Sequence, residues 1–336
     1  MKRLIFAFLL ASGMTQAQSG ASLPVTVDNF IRAESDLYLG NVIKDGGFGK
    51  FMHRREPAPV DHQAVIRMNR DTLYSGLVVD LDAGPATITL PEAGKRFMSM
   101  IVVNQDHYVP AVNYGAGSYT LDKQSVGTRY AFVAIRTLLD PNDPKDVQQV
   151  HALQDAIKIQ QKAVGSFEAP KWDPVSQKVV RDALLTLSAT LPDMKNAFGA
   201  KGQVDPIRHL IATASAWGGN PDKDAIYLNI TPPKNDGSTA YKLRVKDVPV
   251  DGFWSISVYN AKGYFEPNKL NAYTLNSITG KKGADGSITT QFGGCDGQIP
   301  NCIPVVAGWN YMVRLYRPRA EILSGKWVFP EAIPLD

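Results

Sequence analysis

The sequence predicts a mainly β protein with α, built as two β-domains joined by a helical connector. Three observations carry that prediction. Between Ala64 and Arg136, short apolar runs alternate with turn signals at Asp82–Pro85, Glu92–Gly94 and Tyr114–Gly117, the rhythm of a sandwich or barrel. Residues 140–218 replace it with helical periodicity and three Asp-Pro pairs. From Ala225 onward the strand rhythm returns.

The elements follow in order. Met1-Lys2-Arg3, an apolar run from Leu4 to Ala11 and the small-residue exit Thr15-Gln16-Ala17 predict a signal peptide over residues 1–17, cleaved after Ala17. Its apolar core is too short to span a bilayer, which takes roughly 20 residues, and no later segment reaches that length. The mature chain is therefore expected in the periplasm or secreted. A helix is predicted over about Asp28 to Ile43, with Phe30, Leu37, Tyr38 and Val42 at helical spacing and Gly46-Gly47 closing it. With this helix leading, the first β-domain occupies 18–140. The connector, 141–219, starts its helices at Asp143-Pro144, Asp173-Pro174 and Asp205-Pro206, each a carboxylate N-cap followed by a proline whose missing N–H costs nothing there. Apolar stripes are read on each: Val147, Val150, Ile157 and Val164 up to Gly165, then Val175, Val179, Ala183 and Leu187, then Ile207, Leu210, Ile211 and Ala214. The second β-domain fills 220–336, its clearest strands near 226–230, 241–245, 253–258 and 311–316.

Charge excludes some partners. The chain has 36 Lys and Arg against 32 Asp and Glu, and loss of Lys2 and Arg3 with the signal peptide brings the two still closer. So near a balance gives no basis for nucleic-acid or anionic-membrane binding. Two cysteines occur, Cys295 and Cys302, separated by a Gly- and Pro-containing loop. In an oxidising compartment they predict a disulfide; no second Cys pair or nearby His completes a metal set.

Several motifs resemble a bacterial two-domain family, the domain of unknown function 1254 followed by the domain of unknown function 1214. The first is carried by Asn69-Arg70-Asp71-Thr72-Leu73-Tyr74-Ser75, Asp80-Leu81-Asp82, Gly84-Pro85, Leu90-Pro91 and Gly94–Phe97. The second is carried by Asp251–Tyr259, Asn268–Tyr273, Arg314–Pro318 and the closing Gly325-Lys326-Trp327. The chain departs from the pattern at Asn301-Cys302-Ile303-Pro304, where an aromatic is expected in place of the cysteine. The resemblance implies two β-sandwich or jelly-roll-like domains and a homo-oligomer. It implies no established activity.

Two polar clusters interrupt the apolar runs and carry the candidate site. Asp71 is the candidate general base, and Asn69 and Tyr74 are candidate substrate-binding groups beside it. The same residues also suit an Asx-turn that locks the entry to a strand. His107, in Asp106-His107-Tyr108, is the candidate proton carrier, with Tyr108 a substrate contact; a satisfied histidine at a strand end is the plainer alternative. Arg314 shares a strand face with Tyr316 and could hold an anionic ligand or form an internal ion pair. Gly-x-Ser-x-Gly, the phosphate-loop pattern and Gly-x-Gly-x-x-Gly are all missing, and the histidines form no metal motif. The expected function is therefore a cofactor-independent enzyme acting on a small organic molecule by hydrolase- or lyase-like acid/base chemistry. The alternative is a non-catalytic ligand-binding or assembly module of the cell envelope.

Overall fold

The computed structural model describes residues 22–63 and 65–335; the expected signal peptide and its cleavage point lie outside the described residues. The chain opens with α1 (Phe30–Lys44), β1 (Met52–His53), β2 (Thr72–Asp80), β3 (Ala86–Leu90) and β4 (Met98–Asn104). It continues through β5 (Ala111–Tyr114), β6 (Gly117–Leu121), α2 (Lys123–Val126), β7 (Tyr130–Leu138), α3 (Pro144–Ala156) and β8 (Lys158–Gln161). Helices α4 (Pro174–Ser188) and α5 (Pro206–Ser215) lead to β9 (Ala225–Ile230), β10 (Tyr241–Val245), β11 (Trp254–Tyr259) and β12 (Thr274–Asn276). The chain closes with β13 (Ile288–Phe292), β14 (Cys302–Ile303), β15 (Asn310–Tyr316), α6 (Ala320–Leu323) and β16 (Ile333–Pro334).

The strands make two sandwiches and, among the described residues, no barrel. In the first, a sheet ordered β1-β2-β7-β4-β5 faces a smaller one ordered β6-β3-β8. Period-two side chains build its core: Leu77 and Val79, Met100 and Val102, Val133 and Ile135 from the large sheet meet Ile88, Leu121 and Ile157 from the small one. The second pairs β12-β11-β15-β9 with β14-β13-β10-β16 around Trp254, Ile256, Trp309, Tyr311 and Val313. The pairings between these strands are antiparallel except β13 with β14.

The large sheet of the first sandwich is covered on its outer face too. Val78 packs with Leu39 of α1, Val103 and Ala134 pack with Trp217, and every residue of β4 is buried. That double cover explains why these strands read as continuous apolar runs instead of alternating ones.

The connector differs from its sequence reading in three places, one of them Ile207 of the α5 stripe, which at the first turn of its helix is 69% exposed. The first helix stops at Ala156, and Ile157 takes extended dihedrals. Lys158–Gln161 then pairs with β3, because Ile157 and Ile159 alternate into the sandwich core while Lys158 and Gln160 face water. That is a period of two, not 3.6. On α4 the expected core stripe faces solvent, with Val175 71% and Val179 65% exposed. The inward face is mixed: Leu184 packs with Phe30 and Ala33, Gln177 Nε2 donates to Glu34 Oε2 at 2.9 Å, and Arg181 Nε donates to Glu34 Oε1 at 2.8 Å. The three Asp-Pro starts do cap their helices, Asp143, Asp173 and Asp205 each accepting from backbone N–H groups one turn in.

Candidate functional site

The outer face of the large sheet ends, beyond the helices, against the second sandwich, and polar side chains meet there. The loop into β2 begins at Arg67, which sits in the left-handed region with φ 54°. Asn69 Oδ1 accepts from the Asp71 N–H at 2.8 Å, the turn its sequence implies. Asp71 is fully buried. Its Oδ1 accepts from Thr274 Oγ1 and from Asn276 Nδ2, both at 3.1 Å, so the second domain supplies its hydrogen bonds. Its Oδ2 has no partner among the described residues. A carboxylate serving only as a lock would have no reason to strand one oxygen in a dry interior.

Strand register builds the rest. On the first sheet Tyr74, Arg136, Ser99 and Tyr114 stand side by side across β2, β7, β4 and β5. On the facing sheet Asn276, Ser255, Arg314 and Tyr227 form the matching row across β12, β11, β15 and β9. Asn69 Nδ2 donates to the phenol oxygens of both Tyr74, at 3.3 Å, and Tyr316, at 3.0 Å. Arg314 clamps the loop: Nη2 donates to the Arg67 carbonyl at 2.8 Å and to Tyr259 Oη at 2.7 Å, while Nη1 donates to Ser257 Oγ at 2.8 Å. Apolar clusters seal both flanks, Phe97 and Leu138 against Phe253 and Tyr316, and Met68 against Tyr259 and Phe265.

Electrostatics divide the phenols. Burial raises the Tyr74 phenol, but the Arg136 guanidinium, 5.4 Å from its ring, together with Thr72 and Arg314, outweighs burial and leaves its pKa below the ordinary value. Burial, reinforced by Tyr227 and Tyr74, drives the Tyr316 phenol well above it. Burial also opposes the charge on Arg314, yet the phenols of Tyr259 and Tyr316 and the Asp71 carboxylate raise its pKa. Neighbouring groups whose pKa values are pushed apart are the arrangement that acid/base chemistry uses.

A solvent-facing cleft of about 340 Å³ adjoins this seam, lined among others by Arg70, Asn142, Asn271, Thr274, Asn276 and Cys302. Thr274 and Asn276 thus line it and also hold Asp71. The expected disulfide, Cys295–Cys302 with a Cα–Cα distance of 5.7 Å, ties down its wall. The size suits a small organic molecule.

The other candidates lie elsewhere. β4 runs from Met98, level with Thr137, to Asn104, level with Ala131, so His107 is at the far end of the sheet from Asp71, about 20 Å of strand away. His107 is fully buried. Its Nδ1 pairs with Thr213 Oγ1 at 2.8 Å and its Nε2 accepts from the Gly218 N–H at 2.8 Å. Burial, with a smaller contribution from His209, holds its pKa well below the usual histidine value. This is a neutral packing residue. Tyr108 stacks on His209 with centroids 4.7 Å apart, also remote from the seam. Asn69, Asp71, Tyr74 and Arg314 do come together. Among the described residues, no three His, Cys, Asp or Glu side chains gather as a metal set. Arg136, Thr274, Asn276 and Ser255 escaped the sequence reading. Only Arg136 left a trace, as the one charge inside the apolar run Tyr130–Leu138.

The comparisons agree on architecture. A model described as a protein of unknown function, DUF1254, matches residues 48–116, and a second, DUF1214, matches residues 231–320. A crystal structure of a protein from Vibrio parahaemolyticus superposes with TM-score 0.70 at 16% identity, covering 92% of this chain and 98% of that one. An uncharacterised protein from Burkholderia cenocepacia gives TM-score 0.52 at 13% identity, over 92% and 87% of the two chains. No functionally curated protein matches the chain.

Proposed function

The chain carries the domain of unknown function 1254 followed by the domain of unknown function 1214, and from the seam that joins them we propose an exported, cofactor-independent enzyme that performs acid/base chemistry on a small organic molecule. One observation carries the reading: among the described residues Asp71 keeps a buried carboxylate oxygen without a partner, and its other oxygen is held by Thr274 and Asn276, which line an open cleft. In this reading Asp71 Oδ2 removes a proton from the bound molecule. Tyr316, whose phenol is held protonated, returns one to the leaving or rearranged group. Arg314 keeps the Arg67–Met68 backbone, and so the Asp71 loop, in register. Proton transfer in a site of this kind contributes about 10²- to 10⁴-fold in rate. The expected export, into a compartment without ATP or nicotinamide supply, favours chemistry by side chains alone.

The test begins with a thermal-shift screen of the mature protein against small metabolites, since a ligand of the native state raises the midpoint by mass action. Asp71→Asn keeps the shape and the Oδ1 acceptor and removes the charge. It is expected to leave the midpoint and ligand-induced shift nearly unchanged while turnover of that ligand falls about 100-fold or more. Undiminished turnover in a folded Asp71→Asn protein would remove Asp71 as the base. A ligand that shifts the wild-type midpoint and is never converted would favour the binding-module reading, in which the Thr274 and Asn276 contacts to Asp71 simply join the domains.

A further inference from the structure

Arg136 is a buried cation with an unmet donor. It is 9% exposed, yet its Nη1 has no acceptor among the described residues. Other guanidiniums, buried or partly buried, are met. Arg129 meets Asp80 at 2.9 Å, Arg181 meets Glu34, Arg96 meets Asp146, and Arg314 meets backbone carbonyls and hydroxyls. Arg136 has phenols around it instead, Tyr74, Tyr227 and Tyr316. A lysine or histidine in that position could shed its proton, but a guanidinium cannot. A buried cation without an anionic partner is strongly destabilising, so an anion from outside is its natural complement.

The hydrogen-bond polarity of the seam gives an independent indication. The phenol oxygens of Tyr74 and Tyr316 accept from Asn69 Nδ2, and that of Tyr227 accepts from Asn220 Nδ2 at 2.8 Å. Each oxygen keeps a second lone pair, but among the described residues none of the three O–H groups has an acceptor, so they are left to donate, alongside the Arg136 N–H. A neutral amide or alcohol brings donors of its own to such a site. A carboxylate brings only acceptors.

We propose that the molecule processed in the interdomain site carries a carboxylate, and that Arg136, flanked by Tyr74 and Tyr316, is the residue that selects it. This rests on the acid/base reading given above and adds the substrate class. The acid group docks on Arg136, and the reacting centre lies toward Asp71, three residues before Tyr74 in the loop that leads into β2.

Calorimetric titration compares acids with their neutral isosteres: lactate against lactamide, and benzoate against benzamide. At least one acid is expected to bind wild-type protein about tenfold or more tightly than its amide, as a charge-assisted bond to a buried guanidinium should give. Arg136→Met should erase that preference, and Arg136→Lys should restore part of it. Amides that bind as well as acids, no binding by either acid, or full acid affinity in Arg136→Met would each overturn the proposal. If Arg136→Met fails to fold, the acid-to-amide ratio of the wild type decides alone. A tyrosinate absorbance at neutral pH that vanishes in Tyr74→Phe would also overturn it, because Tyr74 would then be the counter-ion. The two readings fail separately. Acid-selective binding with full turnover in Asp71→Asn sinks the base and keeps the anion site. A neutral ligand whose turnover needs Asp71 does the reverse.

Discussion

At Asn104 the chain leaves β4 and turns through His107 at φ 61°, and the imidazole is then surrounded by Phe198, His209 and Trp217. Protonating Nε2 would break its bond from Gly218 and place a charge among these rings. The unfolded chain carries a histidine of ordinary pKa, about 6.5, whereas in the fold the value is lowered. Below pH 6.5 the unfolded state therefore binds a proton that the native state refuses. Stability is lost as pH falls from there toward the folded pKa, by up to about 1.4 kcal/mol per pH unit. His107→Asn, a residue that tolerates positive φ, should cost about 1–3 kcal/mol at pH 7.5 through its lost bonds. In urea unfolding, the gap between wild type and variant should narrow toward pH 5. A gap that stays constant would mean that His107 titrates as freely in the fold as out of it.

Among the elements, α4 shows where sequence periodicity stops being informative. The pattern Val175, Val179, Ala183, Leu187 is a genuine helical stripe, but the helix turns it outward because Glu34 of α1 engages Gln177 and Arg181. A buried ion pair outbid an apolar stripe, and no spacing rule reveals the partner on a distant helix. Val179→Glu should accordingly change stability by less than about 0.5 kcal/mol, whereas Leu184→Ala should cost about 2–5 kcal/mol; chemical denaturation distinguishes the two. Local chemistry was legible wherever it closed on itself: the Asp-Pro caps, the Asn69 turn and the cysteine pair are all decided within a few residues. The site was half legible for the same reason. Asn69, Asp71 and Tyr74 lie together in sequence, while Thr274 and Asn276 reach Asp71 only once two sheets have packed. Arg314 and Tyr316 could be placed on one face by parity, but what that face meets is a tertiary fact. His107 was chemically attractive and spatially wrong, since the polar character of two clusters says nothing about which end of a sheet each occupies.

On the scale of the whole molecule, the two sandwiches are joined by hydrogen bonds that converge on one loop. Arg314 reaches it from β15, and Thr274 and Asn276 from β12. Removing one partner of such a buried charged network costs about 3–5 kcal/mol. Arg314→Met is therefore expected to lower the unfolding midpoint and to split a single calorimetric transition into two, one per sandwich. A single, merely shifted transition would show that the apolar flanks alone couple the domains. The double-faced burial of the large sheet has a further consequence, felt while the chain is still being made. One face of β2, β4 and β7 can close as soon as β8 has emerged. The far end of the other, around Leu138 and Arg136, receives its cover only when Phe253 and Tyr316 arrive more than a hundred residues later. Until then the first half of the protein holds a sticky, partly charged surface open to any neighbour, and a chain cut short before the second sandwich would be a substrate for chaperones and proteases rather than a smaller working protein.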